Sequence, residues 1–158
     1  MAHRRQQHKA LQRAVLRYEA KESGMKAADL MSTDLKTVTG TLNVAEAVFT
    51  LADAQVYGLP VLEEGASRLI GVLSTSDVLQ AAAECASAEE RDQLFENTLV
   101  QDLMTPNPAS VTSDGDVPQA AQQMLYLDVH RLFVVDDGKL TGVISQSDIV
   151  RAVAAAKI

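Results

Sequence analysis

The amino-acid sequence predicts an α/β (α+β) protein built from two pseudo-symmetric β-α-β-β-α units packed face to face, with an extra N-terminal helix. Three observations carry this reading. A phrase of Gly, two aliphatics, Ser, two variable residues and Asp occurs twice, as Gly71-Val72-Leu73-Ser74-Thr75-Ser76-Asp77 and as Gly142-Val143-Ile144-Ser145-Gln146-Ser147-Asp148. Each copy follows a β-rich apolar run and precedes an alanine-rich apolar stretch, Val78 to Ala83 or Ile149 to Ala156, so it sits where a strand turns into a helix. The residues upstream repeat in the same order, and the register survives a length change confined to one hairpin.

In the arm, residues 1–27, helical spacing of Leu11, Val15 and Tyr18 with Ala14 predicts an amphipathic helix over His8 to Lys21, stopped by Ser23-Gly24. The first unit, residues 28–85, opens with Asp29-Leu30-Met31 and a short strand at Thr37-Val38-Thr39. Asn43-Val44-Ala45-Glu46 is a capping-box pattern starting a helix whose Val44, Ala47, Val48 and Leu51 face one way. Gly58 to Leu62 reads as a buried strand, Glu63 to Ser67 as a polar turn, and Leu69 to Leu73 as a second strand. The charged stretch from Ala81 to Leu99 has no Pro or Gly. It predicts a continued helix or two helical pieces, with residues 86–99 a helical linker and Cys85 a helix residue.

The second unit, residues 100–158, retraces this path. Asp102-Leu103-Met104 lies 73 residues after Asp29-Leu30-Met31, Ser110-Val111 matches Thr37-Val38, Asp116-Val117-Pro118-Gln119 matches the Asn43 cap, and Arg131 to Val135 matches Gly58 to Leu62. At Asp148 against Asp77 the offset is 71, because the hairpin at Gly138-Lys139-Leu140 is two residues shorter.

Composition bounds the function. A chain of 158 residues, 47% hydrophobic and 4% aromatic, reads as a soluble globular protein with no membrane-length apolar run. The amino terminus shows no apolar signal region and the lone Cys85 can form no internal disulfide, which points to the cytoplasm. The net charge of −7 divides into +5 over Met1 to Lys26 and −12 over the rest. An acidic body argues against broad nucleic-acid binding. The basic arm offers a face for DNA, an anionic membrane or the body of a second subunit, but aromatic and base-reading residues are few.

Catalysis has little to stand on. The sequence lacks a Gly-x-Ser-x-Gly elbow, a Gly-Lys-Ser/Thr phosphate loop and a His-Cys cluster, and its three histidines, His3, His8 and His130, are scattered. The Ser-x-x-Asp of the repeated phrase supports two readings: a helix capping box, or a carboxylate that accepts paired ribose hydroxyls while the Ser and nearby amides hold a phosphate. Recurrence alone favours neither, since a duplicated unit duplicates its caps.

Taken in tandem, the order Asp-Leu-Met, short strand, helix, Leu-Pro-Val strand, hairpin, Gly-h-h-Ser-x-x-Asp and helix resembles a pair of cystathionine β-synthase (CBS) domains, a Bateman module. The resemblance covers Ala28 to Ala83 and Val100 to Ala156. It implies a non-catalytic regulatory module, needing no cofactor, that senses AMP, ADP, ATP, S-adenosylmethionine or a related adenosyl compound in clefts between the units. On the family pattern Asp77 and Asp148 hold ribose hydroxyls, and Ser74 and Ser145 lie beside the phosphate. The base slot falls to Thr37, Val38, Leu59, Pro60 and Val61 in one unit, and to Ser110, Val111, Leu132, Phe133 and Val134 in the other.

Two departures set the copies apart. Phe133 stands where Pro60 stands, and His130-Arg131 replaces Tyr57-Gly58. Arg131 either pairs with a phosphate or forms a surface ion pair with a carboxylate such as Asp136; His130 packs or caps. With no third basic residue nearby, a monophosphate or nucleoside fits better than a polyphosphate. The functions left are a ligand-responsive regulator, a constitutive dimerisation module without ligand, and a nucleic-acid-associated protein using its arm. The resemblance also implies a flat homodimer, which the arm would clasp. With no effector domain read beside the pair, an effector protein is an expected partner that the sequence does not name.

Overall fold

The computed structural model describes Lys9 and residues 24–155, so the helix expected over His8 to Lys21 lies, Lys9 apart, outside the described residues. Chain order is α1 (Ala27–Leu30), β1 (Val38–Thr39), α2 (Val44–Ala54), β2 (Gly58–Leu62), β3 (Leu69–Ser74), α3 (Thr75–Ala83), α4 (Ala88–Asn97), α5 (Val100–Leu103), β4 (Thr105–Pro106), β5 (Ser110–Val111), α6 (Val117–Leu127), β6 (Arg131–Asp136), β7 (Lys139–Ser145) and α7 (Gln146–Ala154). The β-α-β-β-α order therefore occurs twice, as β1-α2-β2-β3-α3 and β5-α6-β6-β7-α7.

The chain forms two compact units, and their membership differs from that of the sequence repeats. The unit containing Asp77 comprises Lys36–Pro108 and Gly138–Leu140; the unit containing Asp148 comprises, in its described part, residues 24–35, Ala109–Asp137 and residues 141–155. Each Asp-Leu-Met stretch thus packs with the other repeat. In the Asp77 unit, β4, which follows Met104, pairs antiparallel with β3 through Gly71↔Pro106 and Val72↔Thr105. In the Asp148 unit Ser32, which follows Met31, bridges Val143, with Ser32 N donating to Val143 O at 2.8 Å and Val143 N to Ser32 O at 3.0 Å. A short strand without a hairpin partner of its own satisfies its backbone groups at whatever sheet edge is in reach.

Within the Asp77 unit the sheet order is β1-β2-β3-β4, with β1 parallel to β2 and β2 antiparallel to β3. In the second sheet, ordered β5-β6-β7, β5 runs parallel to β6 in the same register: Val111 faces Val134 as Val38 faces Val61. Period-two alternation turns Leu59 and Val61, and Leu132 and Val134, into the cores, all four fully buried. Val38, Ala47, Leu51, Leu73 and Val100 complete one core; Ala27, Val117, Met124, Ile144 and Ile149 belong to the other. Leu→Ala at a site like Leu132 removes methylenes and leaves a cavity, typically costing about 2–5 kcal/mol.

The caps explain where helices begin. Asn43 Oδ1 accepts from Glu46 N at 2.9 Å. Asp116, in the matching position, makes no such bond; its Oδ1 is held instead by Lys26 Nζ at 2.6 Å. Between the repeats there are two helical pieces, α4 being started by Ser87, whose Oγ accepts from Glu90 N at 3.1 Å. Cys85 is not a helix residue: α3 ends at Ala83, and the Cys85 thiol donates to Ala81 O at 3.4 Å. The shorter second hairpin turns through Asp137-Gly138 with φ of 51° and 78°, the left-handed pair that a two-residue type I′ turn requires.

Asp136, just before that turn, fastens the Asp148 unit's loop to its sheet. The Ser113 amide, donating to Oδ1 at 3.0 Å, is the main reason its carboxyl sits below the ordinary value of 3.8; bonds from the Ser113 and Thr141 hydroxyls add to this, and burial opposes it. A lowered folded-state pKa stabilises above the unfolded value and loses that contribution as pH falls through the folded one. Asp136→Asn, which keeps an acceptor for Ser113, should therefore be less stable than wild type at about pH 6. The gap should close below about pH 3.8, as measured by urea denaturation across pH.

Candidate functional site

In both copies a strand ends on Ser and a helix begins on the next residue. Ser74 and Ser145 are extended N-caps, φ −97° and −112°, each followed by a nine-residue helix. The capping box closes identically. Ser74 Oγ accepts from Asp77 N at 3.1 Å and Asp77 Oδ2 from Ser74 N at 2.8 Å; the Ser145–Asp148 distances are the same, 3.1 and 2.8 Å. The first helix amide is also committed in both, Thr75 N to Tyr57 O and Gln146 N to His130 O, each 2.9 Å. The cap reading of Ser-x-x-Asp is thus realised twice. It leaves one carboxylate oxygen, Oδ1, of each half-buried Asp outside the cap.

That oxygen meets different neighbours. Asp77 Oδ1 accepts from the Thr105 hydroxyl at 3.2 Å. Asp148 Oδ1 is held by the Arg151 guanidinium, three residues along the same helix. Neither Thr105 nor Arg151 was among the residues singled out from the sequence. Arg151 was readable as an i,i+3 partner of Asp148; Thr105 arrives only because its strand pairs with the other repeat's.

The residues expected at the base slots lie on paired strands. β1 and β2, and β5 and β6, are hydrogen-bonded neighbours. Adjacent strands lie only about 4.8 Å apart, so no gap for a base exists between them. Leu59, Val61, Leu132 and Val134 are core side chains, as is Val38, with Val111 half-buried against the core. Pro60 and Phe133, at the alternate strand positions, are buried but belong to neither core cluster. The polar groups left in reach of a solute are exposed Thr37, Ser110, His130 and Arg131, together with the half-buried Ser–Asp pairs. Arg131 opens β6 and, among the described residues, has no carboxylate partner. Asp136, the candidate partner, is taken up by Ser113 and Thr141.

A second surface is apolar. In the Asp77 unit, α2 and α3 flank a groove of about 500 Å³ lined by Val48, Leu51, Val56, Tyr57, Val78 and Leu79. Tyr57 and Leu79 are exposed there, Phe49 is exposed elsewhere on α2, and in the Asp148 unit α6 and α7 expose Tyr126, Leu127, Val150 and Val153. No described helix is long and apolar enough to cross a membrane. Among the described residues, no group of three or more His, Cys, Asp or Glu is placed to hold a metal ion.

Comparison with known proteins gives this geometry its family. The CBS-domain model matches residues 27–84 and 100–155. The chain is 32% identical over 140 residues to the CBS domain-containing protein CBSX1, chloroplastic, of Arabidopsis thaliana, a match covering 75% of this chain and 59% of that protein. To CBSX2, chloroplastic, of the same plant it is 30% identical over 156 residues, covering 84% of this chain and 65% of that protein. The chain therefore spans less than two thirds of these relatives' length. A crystal structure of CBSX2 in complex with AMP superposes with a TM-score of 0.72 at 33% identity, covering 85% of this chain and all of that one. The chain belongs to the CBS-domain family, as a tandem pair, or Bateman module.

Proposed function

We propose that the chain is a regulatory sensor of an adenine nucleotide or related adenosyl compound, with Asp77 and Asp148 receiving the ribose in the two copies. The observation that carries this is the Oδ1 oxygen of each Asp: it lies outside a fully formed cap, on a half-buried carboxylate at a helix N-terminus. The relative CBSX2, solved with AMP, supports the ligand class. Ser74 and Ser145 accept the cap bond at Oγ, which orients the carboxylates, and keep the O–H as a donor toward the phosphate. Arg131 is the phosphate partner in the Asp148 copy.

The test is a thermal-shift screen of AMP, ADP, ATP and S-adenosylmethionine. A ligand at about 100 times its Kd stabilises the folded state by about 2.7 kcal/mol, which for a chain of this size raises the midpoint by roughly 5–10 °C. Absence of any shift, together with silent calorimetry at millimolar ligand, would sink the sensor reading in favour of the constitutive module.

The exposed apolar faces of α2–α3 and α6–α7 favour a homodimer in either case. Two copies related by a two-fold axis cover such faces mutually, since an isologous interface uses the same patch twice. Sedimentation should show a dimer at micromolar concentration, and Leu79→Glu, at an exposed position, should yield a folded monomer. A wild-type monomer with and without ligand would overturn this assembly.

A further inference from the structure

The two Ser-x-x-Asp turns close with the same distances, and they part company at a single oxygen. Asp77 Oδ1 carries a bond from a neutral hydroxyl. Asp148 Oδ1 carries a guanidinium, from Arg151. The residue matching Arg151 in the first copy is Gln80, exposed and making no bond to Asp77 among the described residues.

We propose that Arg151 is a specificity-determining residue, which competes with the ligand's ribose for Asp148 Oδ1 and so makes the two copies choose different ligands. The inference rests on the reading that this oxygen receives the ribose. Because Oδ2 is committed to Ser145 N, a cis-diol entering the Asp148 copy must share Oδ1 with Arg151 or displace it. Both bonds end on a carboxylate, but only that of Arg151 joins two opposite charges, so Thr105 yields more readily in the other copy. Displacement is still feasible, for the Arg151 side chain is 72% exposed although that of Asp148 is only 16% exposed. An ion pair with one partner in solvent is worth about a two- to fivefold change in an equilibrium constant.

Ligand charge then decides the order of filling. A neutral nucleoside bears the loss of the Arg151 pair with nothing in return, and enters the Asp77 copy first. A nucleoside monophosphate recovers the loss at Arg131, which is exposed and has no carboxylate partner among the described residues, and enters the Asp148 copy first. The pair thereby distinguishes a phosphorylated adenosyl ligand from its dephosphorylated form by the copy that fills.

Site-resolved NMR titration of the full chain with adenosine and with AMP tests this. The backbone amides of residues 74–78 and 145–149 report the two copies separately. Arg151→Gln should strengthen adenosine binding reported by residues 145–149 by about two- to fivefold and leave residues 74–78 unchanged. Gln80→Arg should weaken adenosine at residues 74–78 by a similar factor, and both effects should shrink at about 1 M salt, where exposed charges are screened. If adenosine binds but Arg151→Gln leaves its affinity at residues 145–149 unchanged or weaker, Arg151 is no competitor and the inference falls alone. If neither compound moves either set of amides in wild type, the adenosyl-ligand reading falls and takes this inference with it.

Discussion

Gly71→Ala will lower the thermal midpoint by about 3–10 °C, although it adds a single methyl group at a position without unusual backbone angles. A Cβ at Gly71 would lie 2.3 Å from Met104 Sδ and 2.9 Å from the Thr105 carbonyl oxygen. A methionine can swing aside. The carbonyl cannot, because Thr105 is paired to Val72 in the β3–β4 ladder. Overpacking of this kind costs about 1–3 kcal/mol, which translates into the stated shift at this chain length. Gly142→Ala should behave alike, its Cβ meeting Met31 Sδ at 2.7 Å and Ser32 O at 2.9 Å. A double-mutant cycle of Gly71→Ala with Met104→Ala separates the two sources of strain. Relief of the sulfur contact should make the double variant more stable than the sum of the singles by at least about 0.5 kcal/mol. Strict additivity would show that the Met104 side chain does not press on this glycine. Gly24→Ala, with nothing within 4 Å, is the neutral control.

The same glycines mark the boundary of what the sequence could disclose. The duplication, the order of elements, the Ser-initiated helices and the shorter second hairpin are all local patterns, and local pattern survives in one dimension. The packing of Met104 on Gly71 and of Met31 on Gly142 is not local. It exchanges the Asp-Leu-Met stretches between repeats, and nothing in the periodicity of those short stretches says which sheet edge they meet. The residues expected at the base slot show a different limit. Alternation along Gly58–Leu62 and Arg131–Asp136 already turns Leu59 and Val61, like Leu132 and Val134, to one buried face, and parallel pairing with the preceding short strand closes the space between. The polar half of the site was legible because Ser74, Asp77, Ser145 and Asp148 act within four residues of chain. Asp116 shows the limit even there: a residue of the right type at the right offset caps nothing and pairs with Lys26 instead.

Asp148→Ala will abolish the tighter of the AMP binding events, and Asp77→Ala will leave it in place. The two substitutions remove the same cap, each Oδ2 standing 2.8 Å from its Ser amide, and differ in the Oδ1 partner lost, Thr105 or Arg151, so the thermal midpoint of each ligand-free variant separates the folding cost from the effect on ligand. What separates the copies for a charged ligand is Arg131, since the position before Leu59 is Gly58 and offers no side chain. A hydrogen bond to a charged group contributes about 1.5–3 kcal/mol, roughly ten- to a hundredfold in affinity. Among the described residues Arg131 has no carboxylate partner to give up for it, since Asp136 is bound to Ser113 and Thr141. Phe133 works in the opposite direction if it narrows the space for a base, so the net preference for AMP should lie toward the lower end of that range. Calorimetry on Arg131→Ala decides the matter: AMP should weaken at least tenfold while adenosine changes little. Equal losses for the two ligands would show that Arg131 shapes the site without reading phosphate, and the preference of the Asp148 copy for a charged nucleotide would have to come from elsewhere.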